Sequence, residues 1–214
     1  MVKIEHKKGS DTEETTTIKQ RVAVQPENFT DDIQLMLRVR DGDEDAFRQI
    51  VEGYKDSILG LCIRYLGNKE DAEEVAQDVF IRLQKAASSY EPRAKLSTYL
   101  YRIAVNLSLN RIRDRKWNRL VPWDVHRKYE EKNPMISAAH SPDQLLEQKE
   151  KQKMIRKAID TLPPNQKTAL LLKRFQGLSY EEIARVMDCS ISAVESRLHR
   201  AKLNLEKKLR PFIP

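Results

Sequence analysis

The chain has 214 residues, enough for one or two domains, and its two cysteines are too few for a disulfide-stapled fold. No apolar segment approaches the ~20 residues that a helix needs to cross a bilayer, and no signal-peptide pattern is visible, so we expect a cytoplasmic protein without membrane insertion. The four histidines are scattered and show no metal-ligand spacing.

The charge of the chain is unevenly distributed. The formal net charge is +7, but residues 149–214 alone carry fifteen lysines and arginines against seven acidic residues. Residues 111–119 add five basic residues and one acidic residue, while the rest of the chain is slightly acidic. Two concentrated basic patches indicate a polyanionic partner.

The helical period dominates the chain from Asp31 onward. Residues 1–28 are polar and predict a disordered tail. Apolar spacings of three and four then predict helices over 31–41, 45–66, 71–83 and 98–117, with a loop at 88–95. Gly67-Asn68 should end the second helix, and Ser97 or Thr98 should cap the fourth.

The second half of the chain begins with a stretch that contains several prolines and shows no sustained hydrophobic period. Residues 118–148 are therefore predicted to be a linker. A helical block begins near Pro142, inside the end of this linker, and runs to Leu209, with breaks at 162–164 and Gly177. No alternating strand pattern is present. The sequence predicts an all-α fold with two small helical domains, 29–117 and 149–214, joined by a flexible linker.

The last third of the chain has the pattern of a helix-turn-helix. Ser179 and Glu182 form a capping box, Asp188-Cys189 fits a short turn, and Ser190 can cap the next helix. A buried stripe is expected from Ile191, Val194, Leu198 and Ala201. The opposite face is polar and basic, which suits a recognition helix in the DNA major groove; a plain helical hairpin with a solvated basic face is the alternative.

A second candidate site lies on the predicted helix that follows Thr98. Its apolar stripe leaves Tyr99, Arg102, Asn106, Asn110 and Arg113 together on the opposite face. Aromatic rings stack on bases, amides reach base edges and arginines hold phosphates, so this stripe is suited to single-stranded nucleic acid. The preceding loop adds Tyr90 and Lys95.

Together these motifs resemble the bacterial RNA polymerase sigma factors of the extracytoplasmic-function (ECF) subgroup. The run 71–80 looks like the acidic helix that binds the clamp of the polymerase β′ subunit. The run 96–106 looks like the promoter-melting helix, and its continuation to Arg115 looks like the minus-ten reader. Leu162-Pro163 with 177–184 looks like the conserved region that binds the minus-thirty-five element.

The resemblance implies a non-enzymatic transcription initiation factor that needs no cofactor, metal or small-molecule substrate. Its implied partners are core RNA polymerase (β′ clamp and β flap), promoter DNA and an anti-sigma factor. The assigned residues are, for the polymerase, Asp71, Glu73, Glu74, Gln77, Asp78 and Leu83; for the minus-ten element, Tyr90, Lys95, Tyr99, Arg102, Asn106, Asn110 and Arg113; and for the minus-thirty-five element, Ser192, Glu195, Ser196, Arg197, Arg200 and Lys202.

The chain departs from the family pattern at three positions. Tyr99 replaces a usual tryptophan, Asp188 replaces a frequent glycine, and Glu195 stands where a basic residue is common. Two other classes of protein are alternatives. A stand-alone helix-turn-helix regulator would explain only the C-terminal motif, and a serine recombinase would need a strand-rich N-terminal domain with a nucleophile.

Overall fold

The computed structural model describes residues 29–91, 94–118 and 142–212, and across these ranges the chain is helical with no strand. The helices are α1 (Phe29–Arg40), α2 (Glu44–Leu66), α3 (Lys69–Ala86), α4 (Leu96–Asn118), α5 (Pro142–Asp160), α6 (Pro164–Phe175), α7 (Tyr180–Met187) and α8 (Ile191–Leu209), with short 3₁₀ turns at Ala87–Ser89 and Arg210–Phe212. The all-α prediction is confirmed. The predicted tail and most of the predicted linker lie outside the described residues.

Capping residues set the helix limits in the first half of the chain. The Asp43 carboxylate accepts from the Ala46 amide at 3.0 Å, and the Asn68 side chain accepts from the Asp71 amide at the same distance. Gly67 ends α2 in the left-handed conformation, with φ of 71°. Glycine reaches this region without steric cost, which is why the chain turns here as predicted.

One predicted cap is wrong. Helix α4 begins at Leu96, so Ser97 and Thr98 lie inside its first turn, and both are buried. The Thr98 hydroxyl has no hydrogen-bond partner among the described residues. The two residues are held there by packing of the helix start against the rest of the domain, which outweighs their preference for a cap position.

Helices α2, α3 and α4 pack on one another and form the core of the first domain, with α1 crossing α2. The fully buried side chains include Ile50, Ile58, Leu61, Val79, Leu83 and Leu100. The α1–α2 contact includes a buried hydrogen bond, in which the Tyr54 hydroxyl donates to the Asp32 carboxylate at 2.5 Å. Cys62 is buried as predicted, and burial raises the pKa of its thiol to about 11.

The second domain is a smaller cluster built by α6, α7 and α8, with α5 against α8. Pro163 and Pro164 start α6, where a proline costs no helical hydrogen bond. Ala169, Leu172, Ile183 and Val194 are fully buried and hold the three helices together. The helical block and its breaks near 162–164 and Gly177 follow the prediction.

The two domains pack against each other. Helix α7 lies against α4, and α6 lies against α2. The Tyr65 hydroxyl of α2 donates to Thr168 of α6 at 2.5 Å, and the Arg64 guanidinium stacks over the Phe175 ring at 4.3 Å from its centroid. Among the described residues, no helix combines the length and apolar character needed to span a membrane.

Candidate functional site

Helix α3 presents an acidic face to solvent. Val75 and Val79 point into the core, and the helical period therefore turns four polar side chains outward: Glu73, Glu74, Gln77 and Asp78 are all exposed. Glu73 pairs with Lys69 at 3.4 Å on the same face. Carboxylates spread over a rigid, core-anchored helix suit a basic protein surface and not a nucleic acid.

Two of the predicted polymerase contacts do not lie on this face. Leu83 is fully buried in the core. The Asp71 side chain is only 17% exposed and faces α4, where it pairs with Arg111 and Arg115. Both corrections have the same cause, since the helical period places these positions on the side of α3 that packs on its neighbours.

Ile81 is the apolar residue that sequence reasoning missed on this face. It is 47% exposed, four residues after Gln77 and three after Asp78, so it shares their side of the helix. Its departure from the Val75–Val79–Leu83 stripe was the available signal. An exposed branched side chain within a polar face supplies apolar area that a protein partner can bury.

The polar stripe of α4 is exposed as predicted along most of its length. Arg102, Asn106, Asn110 and Arg113 face solvent, and Tyr99 is half-buried against the core. The Arg113 guanidinium donates to the Asn110 amide oxygen at 3.1 Å, which holds both groups on one surface. The stripe combines one ring, two amides and two guanidinium groups on a helix anchored by buried Leu100 and Ala104.

The residues at the start of this stripe are engaged by the second domain. The Lys95 ammonium lies 2.8 Å from the Glu182 carboxylate of α7, and the Arg102 guanidinium lies 3.7 Å from that of Asp188. Tyr90 is half-buried, and desolvation, with a further contribution from Asp32, raises the pKa of its hydroxyl. The loop and the first turn of α4 thus contact α7 in this arrangement.

Local hydrogen bonds build the helix-turn-helix. Ser179 accepts from the Glu182 amide at 3.2 Å and Glu182 accepts from the Ser179 amide at 2.8 Å, which confirms the capping box. Asp188 adopts the left-handed conformation with φ of 49°, a region that Asp tolerates better than most residues. Ser190 caps α8 by accepting from the Ala193 amide at 3.2 Å.

Helix α8 presents its polar face to solvent. Ser192, Glu195, Ser196, Arg200 and Lys202 are all exposed, and Val194 and Ala201 are buried on the other side. The half-buried Arg197 folds back on the turn, where its guanidinium donates to the Cys189 sulfur at 2.9 Å. The stripe prediction was wrong for Ile191, which is 43% exposed because it stands in the first turn, beyond the edge of the core.

Arg111 and Arg115 connect the faces of α3 and α4, which sequence reasoning did not foresee. The Arg111 guanidinium lies 2.5 Å from Glu74 and 3.4 Å from Asp71, and Arg115 also pairs with Asp71. The basic run 111–119 was visible in the sequence, but its partners are about forty residues away. Within the described ranges, no group of three or more His, Cys, Asp or Glu residues is placed to hold a metal ion.

Comparison with known proteins decides the family. The family model for Sigma-70 region 2 matches residues 50–118, and that for Sigma-70, region 4 matches residues 152–205. The RNA polymerase sigma-H factor of Pseudomonas aeruginosa is 35% identical over 185 residues, which is 85% of this chain and 95% of that protein. The ECF RNA polymerase sigma factor SigW of Bacillus subtilis is 35% identical over 175 residues, 81% of this chain and 94% of that protein. The chain belongs to the ECF sigma factors.

This sigma factor is a transcription initiation factor that binds core RNA polymerase and directs it to promoters, as the motifs predicted. Its fold is also that of the sigma factor RpoE, whose co-crystal structure with the anti-sigma factor NepR is from Bartonella quintana. That structure is matched with a TM-score of 0.58 and 20% sequence identity over 78% of this chain and 98% of that chain. A stand-alone helix-turn-helix regulator would leave the region 2 match unexplained.

Proposed function

We propose that three exposed faces divide the work of this sigma factor between its predicted domains, 29–117 and 149–214. The acidic face of α3 binds the β′ clamp of core polymerase through Glu73, Glu74, Gln77, Asp78 and Ile81. The α4 stripe captures the opened minus-ten strand, and the polar face of α8 reads the minus-thirty-five duplex. The observation that carries this division is that each face has the chemistry of a different partner and lies on a separate, core-anchored helix.

The stripe on α4 supports strand capture by its combination of groups. The Tyr99 ring can stack on a base, the amides of Asn106 and Asn110 can reach base edges, and Arg102 and Arg113 can hold phosphates. Tyr90 and Lys95 lie in the loop beside its first turn and complete the proposed minus-ten set. Stacking tolerates any base, so sequence preference in this set would come from the amides.

The α8 face supports duplex reading. Ser192, Glu195 and Ser196 stand in the first turns of the helix, which is the part of a recognition helix that reaches base edges. Arg200 and Lys202 lie further along and suit phosphates, and Arg197 joins them once its guanidinium leaves Cys189. Glu195 can accept from the amino group of a cytosine, which makes it the residue most able to set this protein's own promoter preference.

The same assignment names the remaining partners and the place of action. The second domain meets the β flap of the polymerase, and an anti-sigma factor holds the protein inactive until a signal arrives. The sigma factor RpoE of Bartonella quintana, whose fold this chain shares, is in complex with the anti-sigma factor NepR in its co-crystal structure. The protein acts in the cytoplasm, where promoter DNA and polymerase meet, and it carries out no reaction of its own.

The polymerase face is tested by reversing two of its charges. Glu74→Lys with Asp78→Lys should weaken association with core polymerase at least tenfold, because two favourable contacts become repulsive. The matched control is Glu52→Lys with Asp56→Lys on α2, another exposed pair of carboxylates four residues apart. Both variants should keep the helical circular dichroism of the parent. Equal affinity of the two variants for core polymerase would remove α3 from the interface.

The reading helix is tested by selecting promoters from a randomised pool with reconstituted holoenzyme. Glu195→Lys should change the preferred minus-thirty-five sequence, since one good base contact discriminates by ~1–3 kcal/mol. Arg200→Ala should weaken binding to all sequences and flatten the salt dependence. Glu206→Lys, which lies on the exposed side of the same helix further along, is the control. If Glu195→Lys and Glu206→Lys select the parental motif alike, Glu195 faces solvent in the complex.

A further inference from the structure

Ile191 exposes a branched apolar side chain at the very start of α8. It is 43% exposed, although it is the first residue of the helix whose polar face is proposed to read DNA. Single exposed apolar residues are common on protein surfaces, so exposure alone assigns no role. Ile81, Ile155 and Leu203 are exposed to a similar degree, but they lie on other helices or near the far end of α8. The location of Ile191 is what distinguishes it.

Local hydrogen bonds fix the backbone of this first turn. The Ser190 hydroxyl accepts from the Ala193 amide at 3.2 Å, and the Ser190 carbonyl accepts from the Val194 amide at the same distance. Val194 is fully buried and attaches the turn to the core. Isoleucine is branched at Cβ, and a helix restricts it to few side-chain conformations. The Ile191 side chain therefore loses little entropy when it contacts a partner.

Polar groups surround Ile191 on its own helix. The hydroxyls of Ser190 and Ser192 lie 3.0 Å apart on either side of it in sequence. Glu195 follows one helical turn later, on the same side as Ile191, and is exposed. One apolar side chain among polar groups offers too little area for a protein interface, whose core is a continuous apolar patch. It fits a surface that presents a single small apolar group between polar ones.

The major groove of DNA is such a surface. Each A·T pair presents one apolar group there, the C5 methyl of thymine, beside hydrogen-bonding atoms. We infer that Ile191 contacts the methyl group of a thymine in the minus-thirty-five element and thereby adds that base to the sequence this chain prefers. This inference rests on the proposed function of α8 as the helix that reads the duplex. Burial of one methyl group should favour thymine about fourfold over the same base without it.

The spacing of Ile191 and Glu195 limits where this thymine lies. Four residues of an α-helix rise about 6 Å, and successive bases of a strand are about 3.4 Å apart. Two side chains one turn apart therefore reach base pairs that are at most about two steps apart. If Glu195 accepts from a cytosine amino group, the thymine lies within about two base pairs of that cytosine.

Uracil in place of thymine tests the contact, because uracil pairs as thymine does and lacks the methyl group. The experiment uses reconstituted holoenzyme and the promoter that the parent selects from the randomised pool. Each thymine of its minus-thirty-five element is replaced by uracil in turn, and affinity is measured by competition in fluorescence anisotropy. At one position the parent should bind the uracil duplex about fourfold more weakly. Ile191→Ala should bind both duplexes equally, and Ile191→Val, which keeps a branched apolar side chain, should retain most of the preference.

Leu203→Ala is the matched control. It removes another large exposed apolar side chain from the same helix, about three turns later and beyond the residues proposed for phosphates, Arg200 and Lys202. This variant should keep the parental ratio between the thymine and uracil duplexes. All the variants should keep the helical circular dichroism and the core-polymerase affinity of the parent.

Three results would overturn the inference. The first is a parent that distinguishes uracil from thymine at no position. The second is a preference that survives in Ile191→Ala, since another group would then contact the methyl. The third is an equal loss in Leu203→Ala, which would reflect a general effect on α8.

The same measurements separate this inference from the proposed function. If Glu195→Lys changes the selected sequence while Ile191→Ala keeps the parental response to uracil, α8 reads the duplex and only the contact of Ile191 is wrong. If Glu195→Lys selects the parental motif and Arg200→Ala leaves the affinity unchanged, the proposed role of α8 fails as well.

Discussion

The two proposed DNA-binding helices, α4 and α8, are supported in very different ways. Helix α4 is embedded: Leu96, Leu100, Tyr101 and Ala104 are almost fully buried, and it packs against α2, α3 and α7. Helix α8 lies at an edge, and of its described residues only Val194 and Ala201 are buried. Its placement depends on the Ser190 cap and the Asp188 turn before it.

The difference teaches how the two kinds of DNA recognition constrain a helix. A helix that holds unstacked bases must be rigid. Any conformational freedom that the helix loses when DNA binds costs entropy and lowers the affinity for DNA. A helix that enters the major groove needs most of its circumference free of protein. The embedded helix therefore has only a narrow stripe left for DNA.

The largest expected effect tests the burial of α4 against the exposure of α8. Leu100→Ala should lower the free energy of unfolding by about 2–5 kcal/mol, because a fully buried leucine leaves a cavity. Leu203→Ala, at a half-exposed position of α8, should cost less than about 0.5 kcal/mol. Urea denaturation followed by circular dichroism measures both. A similar cost at the two positions would contradict the contrast between the helices.

The next effect concerns the role of the Tyr99 ring of α4 in opening the promoter. Tyr99→Ala should reduce open-complex formation roughly tenfold, since base–aromatic stacking contributes ~1–3 kcal/mol per base. Permanganate footprinting of the minus-ten region measures this, and closed-complex binding should change less than about twofold because the duplex is held through α8. Tyr99→Phe keeps the ring and should behave as the parent does. A parallel loss of closed and open complexes in Tyr99→Ala would mean that the ring has no special role in melting.

The third effect compares two hydroxyl groups at helix starts, that of Ser190 before α8 and that of Thr98 in the first turn of α4. Ser190→Ala removes the cap of α8 and should cost about 1 kcal/mol of stability. Thr98→Val in α4 should be neutral or slightly stabilising, because its buried hydroxyl has no partner among the described residues. Thermal unfolding of both variants gives the answer, and a Thr98→Val variant that loses as much as Ser190→Ala would show that the first turn of α4 also depends on its hydroxyl.

The smallest effect is a difference in pH response between the two domains. Burial raises the pKa of Asp32, and the hydrogen bond from Tyr54 opposes this shift. The buried, charged carboxylate therefore lowers the stability of the folded protein above the raised pKa, and this cost fades as the pH falls toward 3.8. Asp32→Asn should therefore stabilise the protein by under about 1 kcal/mol at neutral pH and not near pH 4. Desolvation alone would raise the pKa of Glu182, but the hydrogen bonds from Lys95 and Ser179 lower it overall. The lowered pKa of Glu182 acts in reverse: its contribution is present above 4.5 and is lost as the pH falls through that lowered pKa. Melting temperatures of the parent, Asp32→Asn and Glu182→Gln, measured from neutral pH down to about pH 4, test both responses. If the stability of the two variants relative to the parent changes in the same direction as the pH falls, the opposite pKa shifts assigned to Asp32 and Glu182 are wrong.

The sequence allowed local structure to be predicted where the signal was itself local. The stop at Gly67, the Ser179–Glu182 capping box and the turn at Asp188 each depend on residues within one helical turn, and the structure confirms all three. The exposed stripe of α4 was predicted for the same reason. A 3.6-residue period fixes which residues share a face once one side of the helix is known to be buried.

The errors arose where the answer depends on a distant segment. Asp71 looked like a surface carboxylate until Arg111 and Arg115, on another helix, turned it inward. Leu83 was assigned to the polymerase interface although it is fully buried, because the helical period does not say how far a partner helix covers the apolar stripe. The docking of α7 on α4 left no periodic signal, since Lys95, Arg102, Glu182 and Asp188 read equally well as solvated charges.

The C-terminus of α2 has a kinetic consequence. Its last carbonyls accept from Arg156 and Lys167 of the second domain and from Arg115 of the first, so side chains from three helices meet at one helix end. A partial displacement of the second domain would leave the Tyr65 carbonyl without Lys167, which keeps its own ion pair with Asp160 at 2.7 Å, and would leave the buried Tyr65 hydroxyl without Thr168; full separation returns these groups to water. Intermediate positions are therefore the least favourable ones. The domains should exchange between two discrete states, visible in NMR as two sets of signals for residues of α7 and not as one continuously shifting set.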